Sequence, residues 1–397
     1  MRTAILLTTF ALLIILVGCE TAPTDTILTE SGETTNYLDP GSDITGVTSP
    51  TEETTPTEGK DPLESLLNSM TLEERVGQLF LVACPQTRPL EAIEQYHLGG
   101  LVLFGANLEG ETPKSLMQTL MAYQESSKIP MLIAVDEEGG SVCRVSSYEA
   151  FRDHRFPSPR RLLEQGGLDF LLQTEEEKCQ LLKSLGINVN LAPVCDISND
   201  PNAFMYSRSM GGTPATIAHN IQAMVQLMGK QQIGSVLKHF PGYGNNTDTH
   251  VAMAVDNRAL KTFEEMDLVP FQAGINAGCG AIMVNHTIVT AIDDKMPATL
   301  SVPVHQYLRE KMKFDGIIMT DDLTMAAIAD YYGAGEAAVL AVLAGNDVLC
   351  TWSCEAQYDA VLSAVKSGRI SMACLDASVL RILRWKQSLG LLNELLK

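Results

Sequence analysis

Between residues 78 and 350, apolar runs of strand length recur eight times, and most of the gaps between them hold a stretch of helical period. The runs are 78–83, 101–104, 131–135, 189–194, 235–238, 281–284, 316–320 and 347–350; the helical stretches include 113–126, 175–185, 213–230, 263–277, 304–311 and 335–344. Runs that are apolar throughout, rather than at every second residue, are buried on both faces, which demands a parallel sheet covered by helices. Eight such units predict an α/β fold of the (β/α)8 TIM-barrel type rather than an open doubly wound sheet. No G-x-G-x-x-G turn follows the first run, so the phosphate-binding mark of the open fold is missing. Residues 61–75 read as helical, with Thr71-Leu72-Glu73-Glu74 as a capping box before the first strand.

Several runs end in polar residues: Asp136 after the third, Asp196 after the fourth, Lys238-His239 at the fifth, Asn285-His286 at the sixth and Asp321-Asp322 at the seventh. In a barrel these ends converge on one face. The seventh run, Gly316-Ile317-Ile318-Met319-Thr320, closes on two adjacent carboxylates, and an Asp pair where a strand emerges is aimed at a ligand more readily than at the core. Asp322 also suits the cap of a helix starting near Thr324, which leaves Asp321 as the candidate for chemistry. After the fifth run, a Gly- and Pro-containing loop carries Lys238, His239, Asp248 and His250. A carboxylate two residues from an imidazole fixes its tautomer and raises its pKa, giving a proton donor that works near neutral pH. Taken alone, each of these residues also has a structural reading: Lys238 as a snorkelling side chain, Arg208 as an ion-pair partner, Asp248-Thr249-His250 as a loop brace.

The first eighteen residues carry a single charge, Arg2, ahead of a short apolar stretch that ends at Leu16-Val17-Gly18-Cys19. A basic start with an apolar region too short to span a bilayer predicts a secretory signal over 1–18. The terminal tetrapeptide resembles the bacterial lipobox, which makes Cys19 the acylated first residue of the mature chain, held on the outer face of the cell membrane by its acyl chains. Residues 19–60 are rich in Thr, Ser, Pro and Gly and hold nine acids against Lys60. Such a segment cannot bury enough to offset its ordering entropy, and a tether is expected, averaging roughly 35 Å end to end and reaching about 140 Å. Residues 61–397 then form the catalytic unit. A net charge of −20 excludes nucleic acid as a partner and an electrostatic hold on anionic lipid. The nine cysteines are scattered, mostly in apolar runs, and read as free thiols; only Cys350 and Cys354 raise a disulfide or metal question, with no His or second Cys pair at ligand spacing to make a zinc site.

From about Leu63 to Leu392 the chain resembles glycoside hydrolase family 3, in its β-N-acetylhexosaminidase branch. The resemblance rests on Val135-Asp136-Glu137-Glu138-Gly139-Gly140 with Arg144, Asn190-Leu191-Ala192-Pro193-Val194-Cys195-Asp196, Ser207-Arg208-Ser209, Lys238-His239-Phe240-Pro241-Gly242 through Asp248-Thr249-His250, and Thr320-Asp321-Asp322-Leu323-Thr324-Met325. It implies that Asp321 is the nucleophile and His250 the acid/base held by Asp248. It also implies that Asp136, Arg144, Arg208, Lys238 and His239 bind the terminal sugar, with His286 in a pocket segment. The commonest family loop has His where Tyr243 stands and one more residue before the dyad; Cys143 and Cys195 replace residues usually larger or polar. The 397 residues leave no room for the second α/β domain of many β-glucosidase members.

The resemblance implies a retaining exo-hydrolase of terminal β-linked N-acetylglucosamine, with cell-wall fragments as substrate, no metal or organic cofactor, and a monomeric state. Its alternatives are a β-glucosidase, a phosphorylase of the same family, or a non-catalytic sugar-binding lipoprotein. Asn245-Asn246-Thr247 and Asn285-His286-Thr287 match the glycosylation sequon, but both fall at the expected active face and are discounted.

Overall fold

The computed structural model describes residues 61–244 and 253–396. Its centre is a ring of eight parallel strands: β1 (Phe80–Ala83), β2 (Gly100–Leu103), β3 (Leu132–Val135), β4 (Val189–Asn190), β5 (Gly234–Phe240), β6 (Ala281–Val284), β7 (Ile317–Thr320) and β8 (Leu349–Thr351). Strands β1 to β7 pair in chain order, and β8 returns to β1 with Phe80 opposite Leu349. The seam between β7 and β8 is thin, a single bridge of Met319 with Val348. Asp347, one residue before that bridge, reinforces it. Its carboxylate accepts from the Ile318 amide at 2.9 Å, from Arg309 Nη2 at 2.6 Å, from Ser378 Oγ at 2.9 Å and from Arg381 Nη1 at 3.0 Å. The ring is thus a barrel of the kind the alternation predicts.

Differences from the sequence reading have local causes. The helix expected over 61–75 is two, Pro62–Ser69 and Leu72–Gln78, because Thr71 caps the second: its hydroxyl accepts from the Glu74 amide at 3.1 Å while Glu74 accepts from the Thr71 amide at 2.9 Å. Strand β4 stops at Asn190 rather than Val194, because the Ala192 amide turns back to the Asn190 carbonyl at 2.7 Å and Pro193 after it has no N–H to give; Val194 rejoins the sheet by a bridge to Lys238. Strand β5 runs further, to Phe240, and so carries Lys238 and His239 itself. The helix placed at 175–185 begins at Pro159 and bends at Gly166-Gly167, where Gly167 has φ 65°. The stretches 263–277 and 304–311 each contain a π turn, Phe263–Asp267 and Tyr307–Lys311. The helices Pro89–Tyr96, Glu355–Lys366 and Met372–Ser388 were not anticipated.

The last of these helices closes the lower end of the barrel, where the strands begin. Trp385 lies against Gly234 and Gly280, at the starts of β5 and β6; a Cβ on Gly280 would stand 1.9 Å from its Nε1, so only glycine fits. Beside it Lys386 is fully buried and donates to Gln78 Oε1 at 2.6 Å. The upper end, where the strands finish, is left open for the polar residues. Among the described residues no helix is long and apolar enough to cross a membrane, and Cys350 and Cys354 are both free thiols. The signal segment, Cys19 and the tether lie outside the described residues.

Candidate active site

A cavity of about 790 Å³ opens at the upper end and is lined by residues from strands all around the ring, among them Asp136, Arg144, Arg208, Lys238, His239, Asp321 and Asp322. Asp136 follows β3, and the next residues continue as a short strand, Glu137–Gly139, paired antiparallel with Val142–Cys143. Three consecutive acids on an extended backbone alternate in direction. Asp136 and Glu138 face the cations of the site. Glu137 turns the other way and, fully buried, accepts from the amides of Arg144 at 2.8 Å, Val145 at 2.7 Å and Ser146 at 3.2 Å, with a further bond from the Ser146 hydroxyl. That contact holds the loop from which Arg144 reaches back into the cavity.

The charged groups form one network. Lys238 Nζ lies 2.7 Å from both Asp136 Oδ1 and Glu138 Oε1. Arg208 meets Glu138 in the two-pronged manner that suits a guanidinium, Nη2 to Oε1 at 2.7 Å and Nε to Oε2 at 3.0 Å. Arg144 Nη2 lies 3.5 Å from the other oxygen of Asp136. Burial alone would push the Glu138 carboxyl up, but the charges of Lys238 and Arg208 outweigh it and hold the carboxyl well below the usual range. Lys238 and Arg208 shift the other way: burial pulls them down, yet their carboxylate partners keep both above their ordinary values. Glu138, Lys238 and Arg208 are therefore charged at neutral pH.

His239 is oriented from behind. Its Nδ1 lies 2.7 Å from Asp196 Oδ2, the same oxygen accepts from the His239 amide at 2.9 Å, and Asp196 Oδ1 accepts from the Tyr243 amide at 2.8 Å. Arg208 Nη2 lies 3.1 Å from His239 Nε2. Because a guanidinium only donates, Nε2 is the acceptor and the ring proton sits on Nδ1, donated to Asp196. Tyr243, which stands where the family commonly has His, is buried edge-on against this ring with centroids 5.3 Å apart.

Asp321 immediately follows β7. Its amide donates to the Val284 carbonyl at 3.0 Å, fixing it against β6, and its Oδ1 accepts from the Asp322 amide at 2.9 Å. Asp322 is not the cap expected of it: the next helix, Ala326–Ala329, has Met325 at its N-cap, and Asp322 instead folds onto Thr324, accepting from its amide at 2.9 Å and its hydroxyl at 2.8 Å. His286 is fully buried in the wall rather than lining the cavity, and Nε2 donates to the Asp322 carbonyl at 2.9 Å. Its neighbour Asn285 is equally buried and donates to the His239 carbonyl at 3.2 Å, which leaves that sequon out of reach of modification. Asp248 and His250 lie outside the described residues.

The structure thus gathers Asp136, Arg144, Arg208, Lys238, His239 and Asp321 at one cavity and sets His286 behind it. One functional group was passed over in the sequence although it stood in a quoted motif: Glu138, the common partner of Lys238 and Arg208, signalled only by its two-residue offset from Asp136. Asp196 was expected at this face as a strand-end acid but without a role, and it carries His239. Phe104 and Trp352, at the ends of β2 and β8, complete the rim. Among the described residues no group of three or more His, Cys, Asp or Glu side chains is arranged to hold a metal ion.

Comparison with known proteins identifies the family. Residues 71–385 match the model of the glycosyl hydrolase family 3 N-terminal domain. A beta-hexosaminidase of Xylella fastidiosa is 34% identical over 298 residues, 72% of this chain and 86% of that one. The beta-hexosaminidase LpqI of Mycobacterium tuberculosis is 29% identical over 325 residues, covering 79% and 82%. Among solved structures, the family 3 beta-N-acetylglucosaminidase of Paenibacillus sp. FPU-7 superposes with a TM-score of 0.76 at 34% identity, over 81% of this chain and 63% of that longer one. With a barrel of this form, a charged cavity at its upper end and a family match over most of its length, the chain belongs to glycosyl hydrolase family 3 and is a glycoside hydrolase.

Proposed function

We propose that the protein is an exo-acting, retaining β-N-acetylhexosaminidase that removes terminal β-linked N-acetylglucosamine. The observation that carries this reading is the position of Asp321, which opens into the same cavity as the Asp136–Lys238–Glu138–Arg208–His239 network. Cleavage of a glycosidic bond needs one group to capture the oxocarbenium-like carbon and another to protonate the leaving oxygen. Asp321 attacks the anomeric carbon and forms a covalent glycosyl-enzyme; His250, held by Asp248, protonates the leaving oxygen and then takes a proton from the water that releases the sugar. Lys238, Arg208 and Arg144 donate to hydroxyl and carbonyl oxygens of the terminal residue, and Asp136 accepts from its hydroxyls. The likeness to curated and structurally characterised hexosaminidases supports N-acetylglucosamine over glucose. With the lipobox at Cys19, the setting of this activity is the outer face of a bacterial membrane, acting on wall-derived fragments.

The test is turnover of 4-nitrophenyl N-acetyl-β-glucosaminide against the matching glucoside, with and without inorganic phosphate. The N-acetylglucosaminide is the substrate hydrolysed, at a rate indifferent to phosphate, and Asp321→Ala reduces turnover to background. A fluorinated N-acetylglucosaminyl donor labels the peptide containing Asp321. Wild-type rates in the Asp321→Ala protein, or a label on another peptide, would remove the nucleophile assignment; phosphate-dependent release of a sugar phosphate would make the enzyme a phosphorylase.

A further inference from the structure

Trp352 has no part in the network described above, yet it is the large aromatic side chain left open at the cavity. It is 55% exposed, although a tryptophan at a strand end usually buries most of its ring. Its ring lies 4.3 Å, centroid to centroid, from that of Phe104, with the planes 30° apart. The Arg144 guanidinium stands 5.6 Å from the Phe104 centroid and, through Nη2, reaches Asp136. The platform is therefore tied to the carboxylate proposed to hold the terminal sugar.

Its level is set by the seam of the barrel. The Leu323 amide donates to the Cys350 carbonyl at 3.0 Å, so the turn carrying Asp321 and Asp322 is level with Cys350. Trp352 lies two residues beyond, in the bend just past the end of β8, on the side of that level nearer the opening. That places an apolar face outward of the nucleophile, on the side where a leaving group departs. A pyranose presents one face of C–H bonds, which an indole covers in the way it covers other apolar surface.

We propose that Trp352, backed by Phe104, is the stacking platform for the sugar residue beyond the scissile bond, which makes it a specificity residue for oligosaccharides over glycosides of small alcohols. This rests on the glycosidase reading above. Trp352→Ala lowers kcat/KM for the β-1,4-linked dimer of N-acetylglucosamine roughly tenfold, mainly through KM, and leaves the trifluoroethyl N-acetyl-β-glucosaminide within twofold of wild type; Trp352→Phe falls between. An equal loss on both substrates, or none on the dimer, overturns the proposal.

A binding measurement separates it from the hydrolase reading. The chain has two tryptophans, and the other, Trp385, is 6% exposed beneath the barrel, so a ligand-induced change in emission reports on Trp352. In the Asp321→Ala protein the dimer shifts the emission to shorter wavelength and N-acetylglucosamine alone leaves it in place. A dimer that binds without moving the emission, or that does not bind, overturns the platform whatever the turnover assays give. A wild-type protein that shifts emission with the dimer but cleaves neither glycoside keeps the platform and removes the hexosaminidase reading.

Discussion

Lys386 is fully buried on the helix that closes the barrel floor, with Gln78 Oε1 at 2.6 Å as its recorded hydrogen-bond partner. Burial depresses its pKa from 10.5 to about 7. A base whose folded pKa lies below its unfolded value destabilises the fold, fully so below the folded pKa, where both states carry the proton. The penalty fades as pH rises toward the unfolded value, because the unfolded chain then gives up its advantage in bound protons. Worked from those two values, it is roughly 5 kcal/mol at pH 6 and roughly 1.5 kcal/mol at pH 9.5. Lys386→Met removes it but leaves Gln78 Oε1 without its donor, at about 1–3 kcal/mol. The variant is therefore more stable than wild type by roughly 2–4 kcal/mol at pH 6 and equal to it or less stable at pH 9.5. Urea unfolding of both proteins at the two pH values reads this directly, and comparing them at equal pH cancels every other titrating group. A stability difference that stays constant between pH 6 and 9.5, or a variant weaker than wild type at pH 6, would refute a cationic cost at this site.

Two further substitutions test the site and the floor. Glu138→Gln removes the carboxylate shared by Lys238 and Arg208; a buried pair broken on one side loses about 3–5 kcal/mol, so the urea midpoint drops and kcat/KM on the aryl N-acetylglucosaminide falls at least about 100-fold, while unchanged values for both would show that the network is dispensable. Gly280→Ala sets a methyl 1.9 Å from Trp385 Nε1 and costs about 1–3 kcal/mol by overpacking; the same change costs less in a Trp385→Leu background, a coupling that a double-mutant cycle of urea midpoints measures.

The barrel was legible because a strand buried on both faces has to be apolar along its whole length, and eight such runs separated by helices leave few architectures. The residues that stop those runs were legible for the same reason: Asp136, Lys238 and Asp321 break an apolar pattern at strand ends, and the ends of parallel strands meet. Element limits were less so where a local hydrogen bond decides them, as Thr71 does by capping a second helix and the Ala192 amide by turning back to Asn190 at the end of β4.

Which neighbour each polar group faces lay beyond the sequence. Glu137 and Glu138 are the same residue type side by side, but the pleat turns one into a loop of amides and the other toward two cations. His239 and His286 both lie at the upper ends of neighbouring strands; strand register puts His286 behind Asp322 and sets His239 between Asp196 and Arg208. Trp352 and Trp385 are a rim platform and a floor plug because one follows β8 at its open end and the other meets two glycines at the opposite end. A sequence by itself determined what must be buried and where charge interrupts it. Partners tens or hundreds of residues apart are chosen by strand register and ring closure, and these exist only once the barrel has formed.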